Sequence, residues 1–247
     1  MIDMHCHVLY GVDDGSRTFE ESLAMIKAAQ TIGFKGIVLT PHYMSYTQYT
    51  SSLNHNRIIH KHLKKLLVEE GVDIQLYLGN EIFYEPDLLP VLERGEFITL
   101  NRNGFFLIET MRHDADKDHF LDFLYRIQLK GYRTIVAHPE RYDFVQDNPE
   151  VLIDFLDRGH LLQINALSLI GFYGKHAKET AEVLLKHNMV QFMASDAHRV
   201  QAYQKMPEAL DIALDIIGPK NFRRIMIDNP AASLGAKGDI VINPIEN

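Results

Sequence analysis

A chain of 247 residues is long enough for one large domain with a substantial core. Its composition, 46% hydrophobic and 23% charged, is that of an ordinary globular protein, and no apolar run approaches the roughly 18 residues of a membrane span. The formal charge of −8 argues against a nucleic-acid-binding face, and the single cysteine excludes an internal disulfide. Because no signal-peptide pattern opens the sequence, we expect one cytoplasmic domain over residues 1–247.

Short β-rich runs alternate with amphipathic helical segments along the whole chain. The predicted strands cover residues 1–8, 35–40, 73–79, 104–108, 132–137, 160–165 and 189–194. The predicted helices cover residues 18–32, 52–70, 116–130, 149–158, 175–187, 207–217 and 220–226; residues 85–95 are expected to be a short helical or irregular stretch, and a short polar tail follows the last helix. Seven β-then-α units without a linker predict an α/β fold, a distorted TIM-like (β/α)7 barrel with its active site at the C-terminal ends of the strands.

Residues of metal-binding type stand where the predicted strands end. His5 and His7 are two residues apart on the first strand, so their imidazoles point to the same face. The other candidate ligands are Asp14, His42, Glu81, Glu109, His138, Asp196 and His198. Five histidines and four carboxylates suit more than one divalent transition metal ion; imidazole favours zinc, iron or manganese, and carboxylate favours manganese.

Glu81 and Arg141 indicate chemistry at phosphorus. Glu81 can bridge two ions through its two oxygens, and closely spaced ions activate a shared water and clamp the oxygens of an in-line displacement. Arg141 follows His138 by three residues, so it is expected on the same loop. A guanidinium there suits a bidentate grip on phosphate and stabilises developing charge, which makes Arg141 the candidate catalytic residue.

The whole chain resembles the PHP (polymerase and histidinol phosphatase) superfamily. The motifs that carry the resemblance are His5-Cys-His7, Asp13-Asp-Gly15, Pro41-His42, Gly79-Asn-Glu81, His138-Pro-Glu-Arg-Tyr142 and Ser195-Asp-Ala-His198. Within the superfamily it is most similar to manganese-dependent protein-tyrosine phosphatases of bacterial capsule and exopolysaccharide loci. Those enzymes act on an autophosphorylating tyrosine kinase with a tyrosine-rich tail, so the resemblance implies the same substrate, the same role in capsule synthesis and hydrolysis by a metal-activated water.

The resemblance also implies up to three metal ions, with manganese expected and iron or zinc as alternatives. The first ion would be held by His5, His7, Glu81 and Asp196, the second by Glu81, Glu109 and His138, and the third by Asp14, His42 and His198. Arg141 would bind the phosphate. Many superfamily members have histidine in place of Asp14 or Glu109, and several have asparagine in place of Arg199, whose role is open. A phenol with a pKa of about 10 leaves more readily than an alkoxide, so no general acid is assigned.

Alternative functions remain. A small phosphomonoester such as histidinol phosphate would use the same metals, and the loops at 43–50 and 170–173 would decide between the two substrates, since a wide mouth suits a peptide. The acidic balance disfavours a nuclease. The complete set of ligand-type residues disfavours a non-catalytic, metal-binding regulatory module.

Other residues receive structural interpretations. Cys6 is expected to pack behind the first strand, and because position 12 is valine, a cysteine-nucleophile phosphatase loop is not supported. A solvated face is expected for His55, His60 and His62, and structural roles for His160, His176 and His187. Stacking on a substrate ring and an ordinary position on a surface loop are both open for Tyr43, Tyr46, Tyr49, Phe83, Tyr84, Tyr142 and Tyr173. His113 closely follows Glu109 in sequence, and a role in supporting a metal ligand is open for it but is not favoured.

Overall fold

The computed structural model describes residues 1–45, 47, 49, 52–86, 88–113 and 115–242, and every strand pair in them is parallel. The strands are β1 (Ile2–Cys6), β2 (Gly36–Leu39), β3 (His42–Tyr43), β4 (Gln75–Leu78), β5 (Glu81–Phe83), β6 (Phe105–Glu109), β7 (Arg133–Ala137), β8 (Leu161–Asn165) and β9 (Phe192–Ala194). The helices are α1 (Phe19–Thr31), α2 (Leu53–Glu69), α3 (Leu88–Arg94), α4 (Lys117–Leu129), α5 (Asp143–Asp147), α6 (Val151–Asp157), α7 (Lys175–Lys186), α8 (Val200–Arg223) and α9 (Asn229–Ser233).

Two of the predicted strands are each followed, after a short break, by a second short strand. β2 and β3 are separated at Thr40-Pro41, where proline lacks a backbone N–H, and β4 and β5 are separated at Gly79-Asn80. The ladder nevertheless continues across both breaks, because Gly79 N–H donates to Leu39 O over 2.9 Å and Glu81 N–H donates to Pro41 O over 3.2 Å. The nine short strands therefore occupy seven positions around the barrel.

The first and last strands close this ring. Asp196 N–H donates to His5 O and His7 N–H donates to Ala197 O, each over 2.9 Å. Beneath these bonds the buried Asp3 carboxylate accepts hydrogen bonds from the Ser195 backbone N–H and hydroxyl. The predicted distorted (β/α)7 barrel is thus confirmed.

Alternation along the strands divides the apolar core into two layers. One layer fills the barrel with side chains from alternate strand positions, namely Met4, Val38, Phe105, Leu107, Ile135, Ala137, Leu161, Phe192 and Ala194. The intervening strand residues, such as Ile37, Phe106 and Val136, face outward and pack against the helices. No helix among the described residues combines the length and the apolar character that a membrane crossing needs.

The C-terminal segment differs from the prediction. Residues 227–233 were predicted as part of the polar tail but are helical, and Leu234 closes the barrel interior. The polar Asn229 is buried because its side chain bonds to the backbone of Gln191 and Val241. α8 begins at Val200, seven residues earlier than predicted, and the short α5 was not predicted.

Candidate metal centre

The barrel brings all of the predicted ligands to the rim at the carboxyl ends of its strands. His5 lies within β1, His42 begins β3, Glu81 begins β5 and Glu109 ends β6. His7, Asp14, His138, Asp196 and His198 lie on the loops that follow the strands. His138 and Asp196 adopt left-handed backbone conformations, with φ of 35° and 48°. Such conformations are uncommon for non-glycine residues and cluster at functional sites.

Glu81 lies at the middle of the group. Its Oε2 atom is 3.0 Å from His42 Nδ1, 3.1 Å from His5 Nε2 and 3.2 Å from His7 Nε2. This buried oxygen nevertheless accepts no hydrogen bond from any described residue. Three imidazole nitrogens around a carboxylate oxygen without a hydrogen bond form a donor set that fits a divalent cation.

The remaining ligand candidates extend this cluster on both sides. His138 Nε2 lies 2.9 Å from Glu81 Oε1 and 3.5 Å from Glu109 Oε2. On the other side, Asp14 Oδ1 lies 3.3 Å from His198 Nε2 and 3.4 Å from His42 Nε2.

Among the residues that the structure describes, donor atoms within 4.8 Å of one another form three groups. The groups are His5, His7, Glu81 and Asp196; His42, Glu81 and Glu109; and His7, Asp14, His42 and His198. The first group is the predicted first set, and the third contains the predicted third set together with His7. The second group contains His42 in the place where His138 was predicted, although His138 contacts the same two carboxylates.

Two side chains that were not predicted as site residues orient the histidines. Asp13 Oδ2 accepts a hydrogen bond from His7 Nδ1 over 2.8 Å, and Gln163 Oε1 accepts one from His5 Nδ1 over 2.9 Å. Because Nδ1 of both rings donates a hydrogen bond to an oxygen, Nε2 is the nitrogen that faces the centre and is the candidate metal-binding atom. The available signals were the first aspartate of the Val-Asp-Asp-Gly loop and a glutamine within an apolar strand.

Arg141 is fixed beside the cluster by an ion pair and an aromatic ring. Its Nη1 donates to Asp196 Oδ2 over 2.9 Å, and Asn165 Nδ2 donates to the same oxygen over 2.7 Å. The guanidinium carbon lies 4.1 Å from the centroid of the Tyr173 ring. Asp196 thus uses one oxygen for Arg141 and presents the other to the histidines, since Oδ1 lies 3.4 Å from Nε2 of both His5 and His7.

Burial and mutual charge shift the pKa values of the cluster in opposite directions. Burial and the neighbouring Glu81 carboxylate raise the pKa of Glu109 to about 8. Burial and His7 lower the pKa of His42, but Glu81 and Asp14 outweigh them and raise it to about 10. Burial lowers the pKa of His138 to about 4, so this imidazole is neutral at pH 7 and its side chain is available as a ligand.

Arg199 joins two of the loops that carry candidate ligands. Its Nη1 donates to the carbonyl oxygens of Asp14, Gly15 and His198 over 2.8, 2.6 and 2.6 Å. Gly15 is required there, because a Cβ would lie 2.0 Å from the carbonyl oxygen of His7. The role of Arg199 that the sequence left open is therefore to hold the Asp14 loop against the His198 loop.

A cleft of about 870 Å³ opens above the cluster to solvent. Of the aromatic candidates, Tyr49, Phe83 and Tyr173 line it. Tyr43 instead donates its hydroxyl to Glu96 over 2.7 Å, and Tyr46 lies outside the described residues.

Two of the aromatic candidates pack within the protein and do not line the cleft. Tyr142 is buried, with its hydroxyl donating to Ala137 O, and Tyr84 packs on two phenylalanines of α4. Cys6 is buried as predicted. His113 lines the cleft but is exposed and pairs with Asp143, so it supports no ligand candidate.

The remaining histidines lie outside the cluster. His55, His62 and His176 are exposed, and His160 is buried with its Nδ1 2.7 Å from Thr134 Oγ1. The prediction was wrong for His60, which is half-buried and bonds through Nε2 to the Leu76 carbonyl.

A parallel seven-position barrel with a buried histidine and carboxylate centre at its carboxyl rim is the architecture of a metal-dependent hydrolase. Residues 1–235 match the family described as capsular polysaccharide synthesis, CpsB/CapC. The chain belongs to this family.

The relatives are named as phosphatases. The tyrosine-protein phosphatase YwqE of Bacillus subtilis is 33% identical over 201 residues, which are 81% of this chain and 78% of YwqE. The tyrosine-protein phosphatase CpsB of Streptococcus pneumoniae is 32% identical over 238 residues, 93% of this chain and 96% of CpsB. A solved structure from work on these two proteins, described as unique metal-dependent tyrosine phosphatases, matches with a TM-score of 0.90 and 30% identity, covering 100% of this chain and 98% of its own.

Proposed function

We propose that this protein is a metal-dependent tyrosine-protein phosphatase that acts on a bacterial tyrosine kinase and regulates capsule or exopolysaccharide synthesis in the cytoplasm. The observation that carries the proposal is the convergence of His5, His7 and His42 on Glu81 Oε2, beside the guanidinium of Arg141. The family and the names of its members supply the substrate class.

The three groups of donors are proposed to hold up to three divalent ions, with manganese the preferred ion because carboxylates are mixed with imidazoles. His5, His7, Glu81 and Asp196 would hold the first ion, and Glu81, Glu109 and His138 would hold the second. Asp14, His42 and His198 would hold the third. Such ions, when bound, lower the pKa of a water molecule and neutralise charge on a phosphoryl group.

The protein's own contribution is to orient these groups before the substrate arrives. Asp13 and Gln163 fix the rings of His7 and His5, which removes the need to reorganise them during the reaction. Arg141 lines the cleft with one nitrogen held by Asp196, and its other donors match the oxygens of a phosphoryl group. The phenol of tyrosine is a good leaving group, so the reaction needs no strong general acid.

The mouth of the cleft favours a peptide over a small polar metabolite. Met111 and Phe172 line the cleft, and both are 52% exposed. A histidinol phosphate site would gain little from apolar side chains held in solvent, whereas a phosphotyrosine peptide brings a ring that can cover them.

The test is hydrolysis of a phosphotyrosine peptide, the matching phosphoserine peptide and histidinol phosphate by metal-stripped protein given manganese. We expect manganese-dependent release of phosphate, fastest from phosphotyrosine. His138→Ala should abolish it, whereas His55→Ala, which removes an exposed histidine on α2, should not. Preference for histidinol phosphate would refute the substrate assignment, and release without any added metal would refute the metal dependence.

A further inference from the structure

Two exposed apolar side chains flank Arg141 on either side. In the sheet, β7 lies between β6 and β8, so the loops after these three strands are neighbours. Arg141 lies after β7, Met111 after β6 and Phe172 after β8. Burial of apolar surface is the usual outcome of folding, so two such side chains in solvent beside a charged site are available to a ligand.

The turn that carries Phe172 places two neighbouring aromatic rings in different environments. Gly171 and Gly174 have φ of 77° and 98°, a left-handed conformation that glycine adopts without strain. Between them, Tyr173 packs on the guanidinium of Arg141 at 4.1 Å. Phe172 meets Tyr173 edge to face at 5.0 Å, lines the cleft and is 52% exposed.

A continuous series of side-chain contacts therefore leads from the phosphate-binding residue to the rim. It runs from Arg141 through Tyr173 to Phe172, and Lys205 Nζ lies 4.8 Å from the Phe172 ring. Phe172 and Met111 line the same cleft as Arg141, so a phosphate held by Arg141 would have its substituent in the cleft that these two side chains line. An aromatic ring attached to that phosphate fits this position, because rings pack favourably on phenylalanine and on the methionine thioether.

We propose that Met111 and Phe172 form a ring-binding site that determines the specificity of the cleft for aryl phosphates. The inference rests on the proposed function and deepens it. The centre and Arg141 bind only the phosphoryl group, which phosphotyrosine and phosphoserine share. The two apolar side chains bind the phenyl ring, which phosphoserine lacks, and so they separate the two substrates.

The test compares the binding of phenylphosphonate and methylphosphonate to the manganese-loaded protein by calorimetry. Neither compound is hydrolysed, so the measurement does not depend on activity. We expect the wild type to bind phenylphosphonate about tenfold more tightly. Phe172→Ala and Met111→Ala should each lower this preference about three- to tenfold, and Phe172→Tyr should retain it. Leu129→Ala, which removes another exposed apolar side chain, on α4, is the matched control and should leave the preference unchanged.

Two results would overturn the inference. One is a wild type with no preference for the phenyl compound. The other is a Phe172→Ala variant that weakens both compounds equally, because Phe172 would then act by supporting Tyr173 and Arg141 and not by contacting the ring. A wild type that prefers phenylphosphonate but hydrolyses no phosphotyrosine peptide would support the ring-binding site and refute the proposed function.

Discussion

Replacement of Arg141 by lysine separates the geometry of this side chain from its charge. The guanidinium donates to Asp196 over 2.9 Å and packs on Tyr173 at 4.1 Å, so its plane and position are fixed. Its remaining N–H groups form a rigid fork that can bind two phosphate oxygens at once. A lysine keeps the positive charge, but a single nitrogen cannot hold Asp196 and two phosphate oxygens in the same plane.

The expected loss follows from the bonds that lysine cannot make. A hydrogen bond to a charged group contributes about 1.5–3 kcal/mol. Loss of one such bond in the transition state lowers kcat/KM about 10- to 100-fold. Arg141→Met removes the charge as well and should cost about 1000-fold, comparable with the removal of a donor from an oxyanion hole.

Steady-state kinetics on a phosphotyrosine peptide at saturating manganese measures both losses. The metal content of each variant is measured alongside, because Arg141 also contacts Asp196, a proposed ligand. Arg158→Lys changes an exposed arginine that pairs with Asp154 and should leave kcat/KM unchanged. Wild-type activity in Arg141→Lys would refute the bidentate grip, and a fall in activity that matches a loss of metal would show that Arg141 acts through Asp196.

Three further predictions concern the centre and its support. In the metal-free protein at pH 7, His42 with a pKa of about 10 and Glu109 with a pKa of about 8 hold protons that a cation must displace. Manganese binding should therefore release protons, and its affinity should increase as the pH rises toward 8. Calorimetry in two buffers of different ionisation enthalpy measures this release, and a result of no proton release would contradict the prediction. Tyr142→Phe leaves a buried carbonyl and a buried N–H without their hydroxyl partner, so it should cost about 2 kcal/mol and lower Tm by about 4–8 °C in a thermal melt; an unchanged Tm would refute the contact. Gly15→Ala places a methyl group against the carbonyl of His7, so it should lower the metal content of the protein. Elemental analysis measures this content, and full metal content would show that the loop adapts.

The position of the ligand candidates could be predicted because it follows from strand alternation and barrel topology. Glu81, Glu109 and His138 are far apart in sequence, but each closely follows a strand predicted from the sequence, and parallel strands bring such positions to one rim. The pairing of particular ligands could not be predicted in the same way. His42 contacts both Glu81 and Asp14 because β3 resumes after Pro41, a break that a simple strand pattern does not reveal.

The supporting polar residues could not be predicted because their partners are distant in sequence. Gln163 has the appearance of an isolated polar residue in an apolar strand until His5 is placed beside it. Asn229 was assigned to a polar tail because composition records polarity, whereas burial depends on whether backbone partners are available. His60 was misplaced for the same reason, since its bond goes to a carbonyl on another element.

The closure of the barrel by its first and last strands fixes when the centre can form. During synthesis, His5 and His7 leave the ribosome early, but Asp196 and the hydrogen bonds that join it to β1 exist only after β9 has been translated. A nascent chain that ends before β9 therefore holds at most three of the four residues of the proposed first ligand group. Binding of the proposed first ion would therefore be one of the last events in the maturation of the polypeptide, and a fragment that lacks either end of the ring would carry no complete ligand group.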